Sequence, residues 1–168
     1  MSRGSSRISF SLICAALTVS CTSVAQIQLG GIDRGAAAKK QHVELLTDSL
    51  QVTANKVQDV ELRFRVEPGF HINSHTPKDE LLIPTELKLQ SGSLHIAGEQ
   101  YPPGSHFHLS IGSGEDLDVY QGEFRVTLRI DPRRGDSNLT GALHYQACDT
   151  ASCFPAKTLP IKIAVSAR

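Results

Sequence analysis

The chain of 168 residues has no tryptophan, one methionine, three tyrosines and only four cysteines, and its 17 Lys and Arg are matched by 17 Asp and Glu. Each shortage excludes something. Balanced charge leaves no basic excess with which to hold nucleic acid or an anionic membrane. No apolar run reaches the length needed to cross a bilayer, because the longest, Ile8 to Val19, is short and interrupted by serines. No segment sustains a helical period, and no carboxylate-plus-histidine spacing typical of an open catalytic zinc site occurs.

What stands at the N-terminus reads as an export signal. Arg3 and Arg7 precede the apolar stretch, and Ser23-Val24-Ala25 forms a small-x-small cleavage site before Gln26. Removal of residues 1–25 discards Cys14 and Cys21 and leaves 15 basic against 17 acidic residues. A rival reading makes Cys21, after Leu17-Thr18-Val19-Ser20, the site of a lipid anchor, although its apolar residue lies one place out of the usual register. Either way the expected compartment is oxidising and outside the cytoplasm, where disulfides persist.

Residues 26–41, with Gly30, Gly31, Gly35 and the run Ala36 to Lys40, lack apolar periodicity and are expected to be a flexible lead-in. From residue 42 to 168 alternation with a period of two takes over. Val60, Leu62, Phe64 and Val66 share one face, as do Leu87 and Leu89, then Phe124 to Ile130, then Leu159, Ile161 and Ile163. Turn residues separate these runs at Pro68-Gly69, Ser91-Gly92, Pro102-Pro103-Gly104, Gly112 to Gly114 and Asp131 to Asn138. The pattern predicts seven to nine short strands in an all-β, immunoglobulin-like antiparallel sandwich that acts as a monomer. The missing Trp and the close spacing of the remaining cysteines exclude an antibody-type inter-sheet disulfide.

Those cysteines lie in Tyr145-Gln146-Ala147-Cys148-Asp149-Thr150-Ala151-Ser152-Cys153-Phe154-Pro155. Predicted strands 139–147 and 158–165 flank them, so a bridge would close a hairpin turn if the Cα atoms come within about 7 Å. As a staple so short a loop contributes only about 2 kcal/mol in the chain-entropy model. Spacing alone favours a plain structural disulfide over a redox pair, and it disfavours zinc further, because two thiolates lack two further ligands. Asp149 is the nearest charge in sequence and opposes thiolate formation, with Lys157 the neighbouring cation.

The cysteine segment resembles the active-site hairpin of the N-terminal domain of the DsbD protein-disulfide reductase family. Similar family segments are Pro68-Gly69-Phe70-His71-Ile72-Asn73-Ser74-His75-Thr76-Pro77, Ile83-Pro84-Thr85-Glu86-Leu87, Tyr101-Pro102-Pro103-Gly104 and Val119-Tyr120, so the resemblance spans residues 42–166. It implies a periplasmic thiol-disulfide interchange module with no cofactor. Cys148 and Cys153 would be its catalytic redox pair, reduced by a membrane electron donor of DsbD type and oxidised by periplasmic thioredoxin-like proteins. It also implies that residues 106–117 cap the cysteines, with Phe107 and Leu109 as a hydrophobic lid or as ordinary core anchors. Asp116 in that segment would be either a solvated carboxylate or an aid to proton transfer. The chain lacks the membrane and thioredoxin domains of the full reductase, so its partners would be separate proteins.

Two other readings stay open. One is a non-catalytic immunoglobulin-like binding module with a permanent bridge. The other is a periplasmic metal-binding protein using His71, His75, His106 and His108 with the thiolates; against it stands the reading of these as solvent-facing or loop histidines that need no ligand.

Overall fold

The computed structural model describes residues 40–91, 94–108 and 116–168; the expected signal segment, most of the lead-in and Leu109 lie outside them. Among these residues twelve strands and no helix form: β1 (Val43–Leu45), β2 (Ser49–Val52), β3 (Gln58–Val66), β4 (His71–Asn73), β5 (Glu86–Ser91), β6 (Leu94–Gln100), β7 (Ser105–His108), β8 (Asp116–Tyr120), β9 (Glu123–Pro132), β10 (Gly135–Tyr145), β11 (Ala147–Cys148) and β12 (Lys157–Ala167). The fold is an all-β, immunoglobulin-like sandwich. Two corrections to the sequence-based expectation apply. The strands outnumber the expected seven to nine because short ones such as β4 and β11 are too brief to show an alternation. The stretch Asp131 to Asn138, expected as a turn, turns only at Arg133 and Arg134, and β10 has begun by Gly135.

Two four-stranded sheets make the sandwich, in the orders β1-β3-β9-β6 and β2-β12-β10-β5. Every pairing is antiparallel except β2 with β12, which is parallel. The alternation works as the sequence predicts: Leu62, Phe64 and Val66 from β3, Val126, Leu128 and Ile130 from β9, Leu139 and Leu143 from β10, and Ile161 and Ile163 from β12 meet in one core. Outward positions of β3 and β9 carry charges that pair across the strands, as in Arg63 with Glu123 at 3.0 Å and Arg129 with Asp59 at 3.6 Å. These exposed pairs contribute little stability each; their role is to keep that face solvated.

Gly141 sits in β10 between Leu89 of β5 and Ile161 of β12. A Cβ there would lie 2.3 Å from the Lys88 carbonyl oxygen, so only glycine allows the three strands to approach. Pro160, in β12, lies outside the stretch 164–167 that pairs with β2, so its missing N–H removes no bond on that side.

A third sheet, in the order β11-β4-β8-β7, is built from continuations of sandwich strands. After β3 the chain turns at Pro68-Gly69, with Gly69 at φ 86°, and enters β4. Before β9 it leaves β8 through Gly122, at φ 57°. After β10 it abandons β12 at Tyr145, whose partner is Lys157, and Ala147-Cys148 pairs with β4 instead. Arg65 faces Glu123 in the β3–β9 ladder, so the first two departures lie at the same end of the sandwich. Ile72, Tyr120 and Ala147 tie this small sheet into the main core.

Candidate active site

Cys148 and Cys153 are joined by a disulfide, with Cα atoms 3.9 Å apart. The expected hairpin is present as the Tyr145–Lys157 end of the β10–β12 ladder, but Cys148 does not end β10. It belongs to β11, in the third sheet, because the chain switches sheets at Gln146. Cys148 is 1 % exposed, whereas Cys153 is on the surface.

Main-chain bonds hold the turn independently of the sulfurs. The Asp149 amide donates to the Ser152 carbonyl at 3.0 Å, and the Phe154 amide to the Ala147 carbonyl at 2.8 Å. One Asp149 carboxylate oxygen accepts from the amides of Ala151 and Ser152 at 2.7 and 2.8 Å, an Asx-type turn. Those two amides are the main reason its carboxyl is held below the usual aspartate range. Gln146 braces the other side: its amide donates to the Phe154 carbonyl at 3.2 Å, and its oxygen accepts from Asn73 Nδ2 at 3.3 Å.

The nearest neighbour of Cys148 across the ladder is His71, its Cα partner in β4. Directly opposed residues of an antiparallel pair point to the same face with Cβ atoms about 4.5–5.5 Å apart, so the His71 and Cys148 side chains leave the ladder on the same side. His71 is 1 % exposed, which corrects the expectation of a solvent-facing or loop histidine. Sequence could not show this, because a three-residue strand flanked by turn residues carries no readable period. Burial pushes the His71 pKa down, and the charge of Asp149 partly opposes that. Its Nε2 has no hydrogen-bond partner among the described residues, and neither has Asn73 Oδ1 on the same face.

Phe107 lies in β7 and lays its ring on His71, centroids 4.2 Å apart. Leu109 lies outside the described residues. Asp116 pairs with His108 on the opposite side of the β7–β8 hairpin from Phe107, Nδ1 to oxygen 3.0 Å, and that contact holds its carboxyl below the usual range. His106 points the same way as His108 and meets Asp118 at 3.3 Å. His75 is a loop residue stacked on Tyr101, centroids 3.7 Å apart. Among the described residues no group of three or more His, Cys, Asp or Glu is arranged to hold a metal ion.

Lys157, the expected cation, donates to the Lys40 carbonyl instead of facing the sulfurs. Gln41 and Tyr145 close this corner: the tyrosine hydroxyl donates to Gln41 Oε1 at 2.6 Å and accepts from the His42 amide at 3.2 Å. His42 in turn stacks on Phe70 at 4.0 Å and approaches Phe154 at 5.4 Å. The residue after Cys153 is thereby anchored in an aromatic cluster.

The family model for the N-terminal region of the thiol:disulfide interchange protein DsbD matches residues 43–164, which include the disulfide, β4 and β7. The chain belongs to that family. Membership implies a thiol-disulfide interchange role. Among solved structures, the reduced DsbD N-terminal domain of Neisseria meningitidis is 20 % identical with a TM-score of 0.44, the match covering 66 % of this chain and 80 % of that one. The N-terminal periplasmic domain of ScsB from Proteus mirabilis is 15 % identical with a TM-score of 0.47, covering 71 % of this chain and 43 % of that one. A PapD-like domain of human CEP192 is 11 % identical with a TM-score of 0.32, covering 76 % and 85 %. No curated protein sequence matches the chain.

Proposed function

We propose that this chain is an exported thiol-disulfide carrier in which Cys148 and Cys153 accept two electrons from a membrane-embedded DsbD-type donor and pass them to thioredoxin-like proteins. The observation that carries the reading is the asymmetry of the disulfide: Cys148 is 1 % exposed and Cys153 is on the surface. A thiolate reaching the bridge from outside meets Cys153 first. Its attack forms a mixed disulfide at Cys153, breaks the Cys148–Cys153 bond and leaves the bonding pair on Cys148. The donor's second thiolate then attacks the donor's own sulfur in that mixed disulfide, leaving the donor oxidised and releasing Cys153 as thiolate. Passing the electrons on reverses the order: Cys153 attacks the acceptor's disulfide, and Cys148 closes back on Cys153.

The ScsB relative is a periplasmic domain, which supports the same compartment for this chain. Phe107, laid over His71 beside Cys148, supports a capping role in which an apolar ring limits access to the buried sulfur.

Trapping tests the assignment. With an oxidised thioredoxin-like protein, reduced Cys148→Ala should accumulate a mixed disulfide through Cys153, while reduced Cys153→Ala should accumulate little. Equal trapping through Cys148 would overturn the assignment of Cys153 as the attacking thiol, and no exchange by the wild-type domain would refute the carrier reading. Absence of exchange leaves a permanent structural bridge in a binding module standing.

A further inference from the structure

We propose that His71 is the proton partner of Cys148, storing a proton beside the buried sulfur while the disulfide is open. The inference rests on the carrier reading for its biological sense, but its geometry stands on its own.

Opening the disulfide at Cys153 leaves a negative sulfur at Cys148, which is 1 % exposed. An unpaired charge in such a place is strongly disfavoured, so the site must supply a donor or a counter-charge. Among the described residues the polar groups that face this position are few. His71 is the direct ladder partner, itself 1 % exposed, with Nε2 unpartnered among the described residues. A buried imidazole with an unused nitrogen is unusual enough to require an explanation, and a neighbouring thiolate supplies one. Asn73 lies two positions along on the same face, opposite the apolar Val119 of β8. From β7 the facing group is the Phe107 ring, since His106 and His108 point to the other side and are engaged by Asp118 and Asp116. From the turn after β11 comes Asp149, the charged group whose field reaches His71. Its carboxylate is committed to the Ala151 and Ser152 amides, so it biases His71 toward the protonated form without itself delivering a proton to the sulfur.

In the oxidised protein burial disfavours the charged form of His71, against the opposing field of Asp149. When a partner thiolate bonds to Cys153 and the sulfur–sulfur electron pair departs on Cys148, one proton enters from solvent. The His71–Cys148 couple holds it, as imidazolium with thiolate or as imidazole with thiol. When Cys148 later attacks Cys153 and reforms the bridge, that proton leaves. His71 acts through the sulfur and does not itself join a covalent step, so it is a positioning residue for the exchange.

The test is a pair of titrations on protein reduced chemically, which needs no physiological partner. The His71 ring resonances of the wild-type domain are followed against pH in both redox states, and thiolate absorbance is followed in reduced Cys153→Ala, where Cys148 is the thiol observed. The His71 midpoint should rise by about one pH unit or more on reduction, a tenfold change in proton affinity. Adding His71→Asn should move the Cys148 midpoint upward by a similar factor. Equal His71 midpoints in the two redox states would overturn the proposal, as would a Cys148 midpoint that ignores His71→Asn. If that variant fails to fold, the wild-type titration decides alone. Coupled titration in a domain that exchanges with no thioredoxin-like protein would refute only the carrier reading, and exchange without coupling would refute only the role of His71.

Discussion

Removing both sulfurs, as Cys148→Ala with Cys153→Ala, separates a redox pair from a structural clamp. Alanine is the better replacement, since at a position 1 % exposed a serine hydroxyl would be buried with no assured partner. The bridged cysteines are five positions apart, so the cross-link removes little freedom from the unfolded chain, about 2 kcal/mol in the loop-entropy model. Losing the buried sulfur of Cys148 adds about 1 kcal/mol of lost packing. The turn itself should persist, because the Asp149–Ser152 and Phe154–Ala147 bonds and the Asp149 carboxylate do not depend on the sulfurs.

The expected total is therefore about 3 kcal/mol, a lowering of the melting temperature by about 10 °C, against a domain stability of roughly 5–15 kcal/mol. Denaturant unfolding and calorimetry measure it. By the thermodynamic cycle, the native pair should be about 45 mV harder to reduce than the same pair in the unfolded chain, since 30 mV corresponds to about 1.4 kcal/mol. A loss above about 5 kcal/mol, or a native potential below about −300 mV, would mean that the bridge is a clamp and that the reasoning from loop length fails.

Gly141→Ala should destabilise the domain by about 3 kcal/mol or prevent folding, because the new Cβ meets the Lys88 main-chain oxygen, which cannot turn aside; chemical denaturation reads it, and a loss under about 0.5 kcal/mol would refute the close approach. Phe107→Ala should speed alkylation of the reduced thiols several-fold while costing about 1–2 kcal/mol, since its ring is only half-buried against His71; an unchanged rate with a large stability loss would make it a core anchor. For Asp149 the folded carboxyl is held below the usual range, so folding favours its anion. Its contribution is complete above the unfolded value of about 4 and is lost as pH falls through the lower folded value. Stability curves of wild type and Asp149→Asn should therefore converge in acid, and parallel curves would exclude the linkage.

The sandwich was readable because its strands are long enough to repeat. Val60 to Val66, Phe124 to Ile130 and Leu159 to Ile163 each show several cycles of alternation, and a repeated buried face admits one register. The third sheet was not readable for the opposite reason. β4 and β11 hold three and two residues, and their partners lie far apart in sequence, so neither the switch at Gln146 nor the rung between Cys148 and His71 leaves a local signal. Charge suffered the same way: Asp149 and Lys157 were the obvious neighbours in sequence, yet one caps a turn and the other reaches Lys40. The titratable group that matters to Cys148 lies 77 positions upstream, and only the ladder register reveals it.

That register also explains why one sulfur is hidden and its partner is not. A two-residue strand can pair with β4 only while its backbone stays in the sheet, and this places Cys148 on the covered face beside His71. The turn that follows must then leave the sheet to satisfy its own amides, and the Asp149 carboxylate supplies the acceptor that allows it. Cys153 returns on the outer edge of that turn, bonded to Cys148 through an isolated antiparallel bridge and followed by Phe154, which the His42–Phe70 cluster holds in place. Neither anchoring contact involves a sulfur. These contacts remain available when the disulfide is open, so they can hold the backbone on both sides in place, as the proposed carrier role requires.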